Sequence, residues 1–171
     1  MIGAVIALDS EAEALLDQME IENILTVHGK PVYLGKAFGK DVALCVCGVG
    51  KVNAAVGKCA VLEKGADKVL NFGVAGGLFD QTELTEVYLI DKAVQYDFDI
   101  TQLEGGEVGT LDGETENFLP LYVPASLDYP RRALGTGDTF NDSPADQDQH
   151  IRLGAHKSDM EGAAIAQVCK Y

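Results

Sequence analysis

The sequence predicts an α/β layered fold. Short apolar runs suited to buried strands alternate with helical stretches, and glycines cluster directly after the strand-like runs. The chain has 171 residues, of which 47% are hydrophobic and 23% charged, enough for a single domain with a sizeable core and against wholesale disorder.

Each element has its own justification. Residues 2–8 form a continuous apolar run, too short for a typical helix and suited to a strand buried on both faces. Asp9 or Ser10 then caps a helix through Glu11–Leu16, with acids near the positive end of its dipole. Residues 31–37 and 41–47 read as a hairpin turning at Phe38, Gly39 and Lys40. Gly48-Val49-Gly50-Lys51 leads into an alanine-rich helix over 52–64, and Gly65 follows where a helix-ending glycine is expected. Residues 68–72 make a second buried strand that runs into Gly73–Gly77. A further strand spans 86–93, and the acidic, glycine-rich segment 96–113 reads as a surface loop or short hairpin. Residues 132–136 form a short strand ending in Gly135-Thr136-Gly137-Asp138. Residues 142–149 are polar and expected to be exposed, and a last helix runs from Asp159 almost to Tyr171. No internal repeat or low-complexity tract interrupts the pattern.

Charge and composition exclude several function classes. Lys and Arg number 13 against 27 for Asp and Glu, a formal net charge of −14 that disfavours a nucleic-acid partner. No apolar run approaches the roughly 20 residues that cross a bilayer. The opening MIGAVIALDSEAE lacks a basic region before its apolar stretch, so no secretory signal is read there and a cytoplasmic location is expected. The four cysteines match no CxxC spacing. Cys45 and Cys47 flank Val46 and share one face of a strand, and reduced core thiols are the expectation. GxxxxGK[ST] and GxSxG are absent, and Gly48–Lys51 lacks the third glycine of a dinucleotide fingerprint. His28, His150 and His156 show no metal-ligand spacing, and His150, close to Asp146 and Asp148, reads as part of a solvated loop. No metal and no cofactor are expected.

In open α/β sheets, ligands bind beyond the carboxyl ends of strands. Asp9–Glu11, Gly48–Lys51 and Gly73–Gly77 fall at such ends. Glycine there admits backbone amides to a ligand, although tight strand-to-helix turns also need it for structure alone. Glu11 and Glu161 each lie near a helix start. A single acid there is by default a water-exposed partner of the helix dipole, whereas two converging on one crevice suit general-base work and sugar-hydroxyl binding.

The ordered motifs A-L-D-S-E-A-E, G-V-G-K-V-N-A-A, N-F-G-V-A-G-G-L, Y-D-F-D-I-T, T-G-D-T-F and D-M-E-G-A-A-I-A resemble the nucleoside phosphorylase superfamily. More narrowly they resemble the 5′-methylthioadenosine/S-adenosylhomocysteine nucleosidases. The resemblance implies a three-layer α/β fold with a mixed central sheet, commonly a homodimer. It implies hydrolysis of the N-glycosidic bond of an adenine nucleoside, a small-molecule substrate. Glu11 matches the acid that activates water, and Glu161 the acid that binds ribose hydroxyls. Met160 matches the residue packing on ribose and Phe140 the aromatic stacking on adenine, while Val49, Ala75 and Gly76 line the pocket. Val74 occupies a pocket position where these nucleosidases carry serine. Acids at 9, 11 and 13 stand where the superfamily's phosphorylases place glycine and arginine, which favours hydrolysis over phosphorolysis. A purine nucleoside phosphorylase, a futalosine-type hydrolase and a catalytically silent nucleoside-binding module are the alternatives. In the family, the D-M-E-G-A-A segment precedes a further strand with a serine-aspartate motif and a long helix. The aspartate helps protonate the leaving adenine. The sequence stops at Tyr171 before that segment, so a catalytically impaired chain with an unpaired sheet edge is expected, general acid catalysis being worth about 10²–10⁴-fold.

Overall fold

The computed structural model describes residues 1–78, 83–140 and 144–171, with the backbone alone at 104 and 144–146. The fold divides into two compact units, residues 1–74 with 168–171 and residues 75–167.

The first unit contains β1 (Ile2–Ile6), α1 (Asp9–Leu16), β2 (Glu20–Val27), β3 (Lys30–Ala37), β4 (Lys40–Val46), α2 (Lys51–Glu63) and β5 (Lys68–Asn71). Its sheet has the order β2-β3-β4-β1-β5. The strand β1 is parallel to both neighbours, while β2, β3 and β4 form an antiparallel meander. Alternation along β4 divides the packing between two layers. Val42, Leu44 and Val46 join Ala4 and Ile6 of β1 and Ala12, Leu15 and Leu16 of α1 in one cluster. Cys45, Cys47 and Val5 lie on the other face, against α2 at Gly57. Burial there pushes the Cys45 thiol up to about 11, so it packs as a neutral side chain.

Several expectations change here. The first strand ends at Ile6, and Leu8 rather than Asp9 or Ser10 stands at the cap of α1. Glu11, at the third helical position, reaches back to the Leu8 N–H, which is the half of a capping box that does not depend on the side chain at the cap. The strand β2 was not anticipated. It is an edge strand bonded to β3 alone, and only Val27 among its residues is buried, so E-I-E-N-I-L-T-V carries no clean alternation. Hairpins turn at His28-Gly29 and Phe38-Gly39, all four residues with positive φ, the backbone that two-residue hairpins favour. Cys59 and Cys169 are exposed, not core residues. Cys59 lies about 200° around α2 from the sheet-facing Gly57, because a helix turns about 100° per residue.

The second unit contains β6 (Gly76–Gly77), β7 (Leu89–Gln95), α3 (Thr101–Glu104), β8 (Leu119–Pro120), β9 (Arg131–Thr136), α4 (Pro144–Leu153), β10 (Lys157–Asp159) and the start of α5 (Gly162–Lys170). The order is β6-β10-β9-β7-β8, with β10, β9 and β7 parallel and the two short edge strands antiparallel. Ala93 and Leu134 pack against Ala163 of α5 on one face. His150 of α4 lies against Gly135 on the other, where a Cβ would meet its Nδ1 at 2.5 Å. Helices thus cover both faces of each mixed sheet, as an α/β layered fold requires.

The strand expected over 86–93 lies at Leu89–Gln95, and segment 96–113, expected as a surface loop or short hairpin, is a mostly exposed loop that holds the single turn α3. The stretch expected to be an exposed loop contains α4, residues 141–143 lying outside the described residues. His150 is fully buried, its ring centroid 3.7 Å from that of Tyr96. Helical winding turns it toward β9 while Asp148 and Gln149 stay exposed, so the solvated-loop reading of His150 is corrected. The strand β10 was also unexpected, three residues being too few to show a period. Among the described residues, no helix is long and apolar enough to cross a membrane.

The contact of α2 with the sheet gives a test. A Cβ at Gly57 would lie 2.5 Å from Cys47 Cβ and 3.2 Å from Val5 Cγ1, both held by the strands. Gly57→Val should destabilise the protein by about 1–3 kcal/mol through overpacking, read as a lower urea midpoint at unchanged m-value. An unchanged midpoint would refute this packing.

Candidate active site

The first unit presents Glu11 at the carboxyl end of β1. There the chain turns through Ala7 and Leu8 into α1, whose first backbone N–H groups have no intrahelical acceptor. Glu11 Oε2 accepts the Leu8 N–H at 3.1 Å, and Oε1 accepts the Val74 N–H at 2.9 Å. The second donor comes from the segment that follows β5. Gly73 permits this approach, since a Cβ there would lie 2.6 Å from Oε1. The Val74 side chain points into solvent, 81% exposed, so the residue contributes its backbone here. Glu11 is therefore a carboxylate fixed from two chain segments, not merely a dipole partner. Each oxygen uses one acceptor direction and keeps another for a ligand or water.

Gly48-Val49-Gly50 lies at the end of β4, with φ of 86° and 102° at its glycines. Asn53 in the first turn of α2 donates from Nδ2 to the Val49 carbonyl at 2.7 Å, and its Oδ1 accepts from Lys30 Nζ at 2.6 Å. This brace holds the loop while Val49 remains partly exposed.

In the second unit, the T-G-D-T-F and D-M-E-G-A-A motifs meet at the carboxyl ends of β9 and β10. The buried Thr136 hydroxyl donates to Asp159 Oδ1 and accepts the Ala163 N–H at 2.9 Å. Asp159 Oδ2 accepts the Gly162 N–H at 2.7 Å. These two side chains take up the free N–H groups at the start of α5, which begins at Gly162 and not at Asp159 as the sequence suggested. Burial pushes the Asp159 carboxyl up to about 6 against the downward pull of these hydrogen bonds.

Glu161 stands between that cap and the helix. Its carbonyl accepts from Ala164 and Ile165, and its Oε2 accepts the Met160 N–H at 3.3 Å. Only 9% of Glu161 is exposed, which corrects the water-facing reading of this acid. Met160 is half-buried. Gly76 pairs with Ser158 of β10, so the exposed Ala75-Gly76 segment runs along the same strand end.

Phe140 ends a loop secured from Tyr96 and Asp97. The Tyr96 hydroxyl donates to the Thr139 carbonyl at 3.0 Å, and Asp97 Oδ2 accepts the Asp138 N–H at 2.9 Å. The Phe140 ring is 80% exposed.

The structure thus joins Glu11 to Val74 in one unit, and in the other gathers Ala75, Gly76, Met160 and Glu161 around one strand end. Sequence reasoning had passed over Lys30, Asn53, Thr136 and Asp159 as positioning residues. Three of them stand inside the quoted motifs; for Asn53 and Asp159 the signal available was a small polar residue two or three positions from a helix start, whereas Thr136 reaches its helix only through the fold.

Comparison with known proteins decides the family. The Phosphorylase superfamily profile matches residues 1–171. A 5′-methylthioadenosine/S-adenosylhomocysteine nucleosidase of Shewanella sediminis is 32% identical, over 98% of this chain and 79% of its own length. The chain belongs to this nucleosidase family. The Neisseria meningitidis nucleosidase, solved with methylthio-immucillin-A, superposes with a TM-score of 0.90 at 26% identity, over 99% of this chain and 79% of that one. The futalosine hydrolase of Helicobacter pylori shares the fold, with a TM-score of 0.88 at 22% identity, over 99% of this chain and 78% of that one. The nucleosidase family therefore supplies the frame for the motifs that hold Glu11 and Glu161.

Asp159 makes folding pH-dependent in a defined direction. Its folded pKa of about 6 lies above the ordinary 3.8, so the native state holds a proton that the unfolded chain has lost between those values. Its contribution is full below about pH 4 and is lost as pH rises through 6, on the order of 3 kcal/mol in all. Asp159→Asn should flatten that part of the stability profile in urea melts from pH 4 to 7. An unchanged slope would refute the assignment.

Proposed function

We propose that this chain hydrolyses the N-glycosidic bond of an adenine nucleoside of the 5′-methylthioadenosine or S-adenosylhomocysteine type. Glu11 takes a proton from the attacking water and Glu161 binds ribose hydroxyls. The observation that carries this reading is the Glu11 carboxylate, oriented by the Leu8 and Val74 N–H groups with acceptor directions left over. Cleavage of this bond builds positive charge on the sugar, which a nearby carboxylate stabilises while another deprotonates water. The half-buried Met160 offers an apolar surface to ribose, and the exposed Phe140 ring offers a stacking face to adenine. Val49, Val74, Ala75 and Gly76 complete the proposed pocket lining.

Hydrolysis is favoured over phosphorolysis because Asp9, Glu11 and Glu13 crowd the start of α1 with negative charge, where a phosphate dianion would be repelled. The same reading makes the chain one nucleoside phosphorylase-like domain, working as a cytoplasmic homodimer in methionine salvage.

The test is adenine release from methylthioadenosine, with and without phosphate. Release independent of phosphate is expected. Glu11→Gln should lower it by about 10²–10⁴-fold while leaving the circular dichroism spectrum intact. Phosphate-dependent turnover would make the chain a phosphorylase. Release only from futalosine would move it to that hydrolase class, and nucleoside binding with no turnover would make it a silent module.

A further inference from the structure

We propose, resting on the reading of Phe140 as the face that meets adenine, that Tyr96 is the positioning residue that presets this ring for stacking. Tyr96 holds the chain on both sides of Phe140. It follows the last residue of β7 and is only 5% exposed. Its backbone N–H donates to the Thr136 carbonyl at 3.1 Å, and its hydroxyl donates to the Thr139 carbonyl at 3.0 Å. Beyond Phe140, Gln149 Nε2 donates to the Tyr96 carbonyl at 2.8 Å, and the His150 ring packs on the Tyr96 ring with centroids 3.7 Å apart. One residue thus binds positions 136 and 139 before Phe140 and positions 149 and 150 after it. Its neighbour adds to the hold, since Asp97 Oδ2 accepts the Asp138 N–H at 2.9 Å.

Two glycines at the end of β9 make room for the pair of rings. Residues two apart on a strand share a face. A Cβ at Gly135 would meet His150 Nδ1 at 2.5 Å, and one at Gly137 would run into the Tyr96 ring. The Gly137 N–H also donates to the Asp159 carbonyl at 3.2 Å, directly before Met160 and Glu161. The loop is therefore set against the segment proposed to hold ribose. Asp138, Thr139 and Phe140 themselves are exposed. A surface ring that must be ordered when its ligand arrives costs affinity, whereas one already held in place costs less. A base stacks on such a ring in the ground state and the transition state alike, so loss of the hold weakens binding and spares the chemical step.

Calorimetric titration with adenine and turnover of methylthioadenosine test this role. Tyr96→Phe keeps the ring and removes the hydroxyl that holds Thr139. It should weaken adenine binding and raise KM about three- to tenfold, the worth of one hydrogen bond, with kcat unchanged. Phe140→Ala should weaken adenine binding at least as much, and Tyr96→Phe should cost nothing further in that background. Normal adenine affinity in Tyr96→Phe, a fall in its kcat, or losses that add in the double variant would overturn the positioning role and leave the base-stacking reading intact. Adenine binding that is indifferent to Phe140→Ala, or absent from the native chain, would overturn that reading and the proposal with it. If adenine binds without turnover, the calorimetric comparison of the four chains decides alone.

Discussion

Backbone N–H groups at the start of a helix have no intrahelical acceptor, and in both units of this protein a carboxylate meets that need where a strand hands over to a helix. Glu11 receives the Leu8 N–H at the start of α1 and also the Val74 N–H beyond β5. Asp159 receives the Gly162 N–H at the start of α5, while Thr136 from the neighbouring strand receives the next one. Each carboxylate therefore ties a helix to the end of a second strand. The loops that carry the proposed site residues grow from these ties.

Closely approaching backbone allows the arrangement. Gly73 lets the segment after β5 come within hydrogen-bonding distance of Glu11, and Gly57 lets α2 settle on Cys47 and Val5. The glycine motifs thus have a structural cause as well as a proposed functional one. The two readings coincide because a side chain at Gly73 would push away the donor that orients Glu11.

Charge is distributed unevenly. Acids dominate the chain, and the start of α1 is acidic, which agrees with chemistry that uses water and not phosphate. Near the amino ends of β9 and β10, Arg132 and Lys157 share the Tyr88 ring, whose hydroxyl donates to Glu86, so charges of both signs meet there.

The sequence by itself determined the α/β class, β1, the hairpin of β3 and β4, the helix α2 and the family motifs. These depend on continuous apolar runs, on turn chemistry at Phe38-Gly39 and on local helix propensity, all written in neighbouring residues. Only the tertiary structure decided the edge strand β2, the short strand β10, the helix α4 and the depth of His150, Glu161 and Asp159. A three-residue strand has no period to read, and an edge strand need not alternate. A polar segment such as 144–153 becomes a helix with a buried histidine only because Gly135 of another strand leaves room for it. The same holds for Glu11 and Val74, which are 63 residues apart in the chain and meet only when β1 and β5 lie side by side.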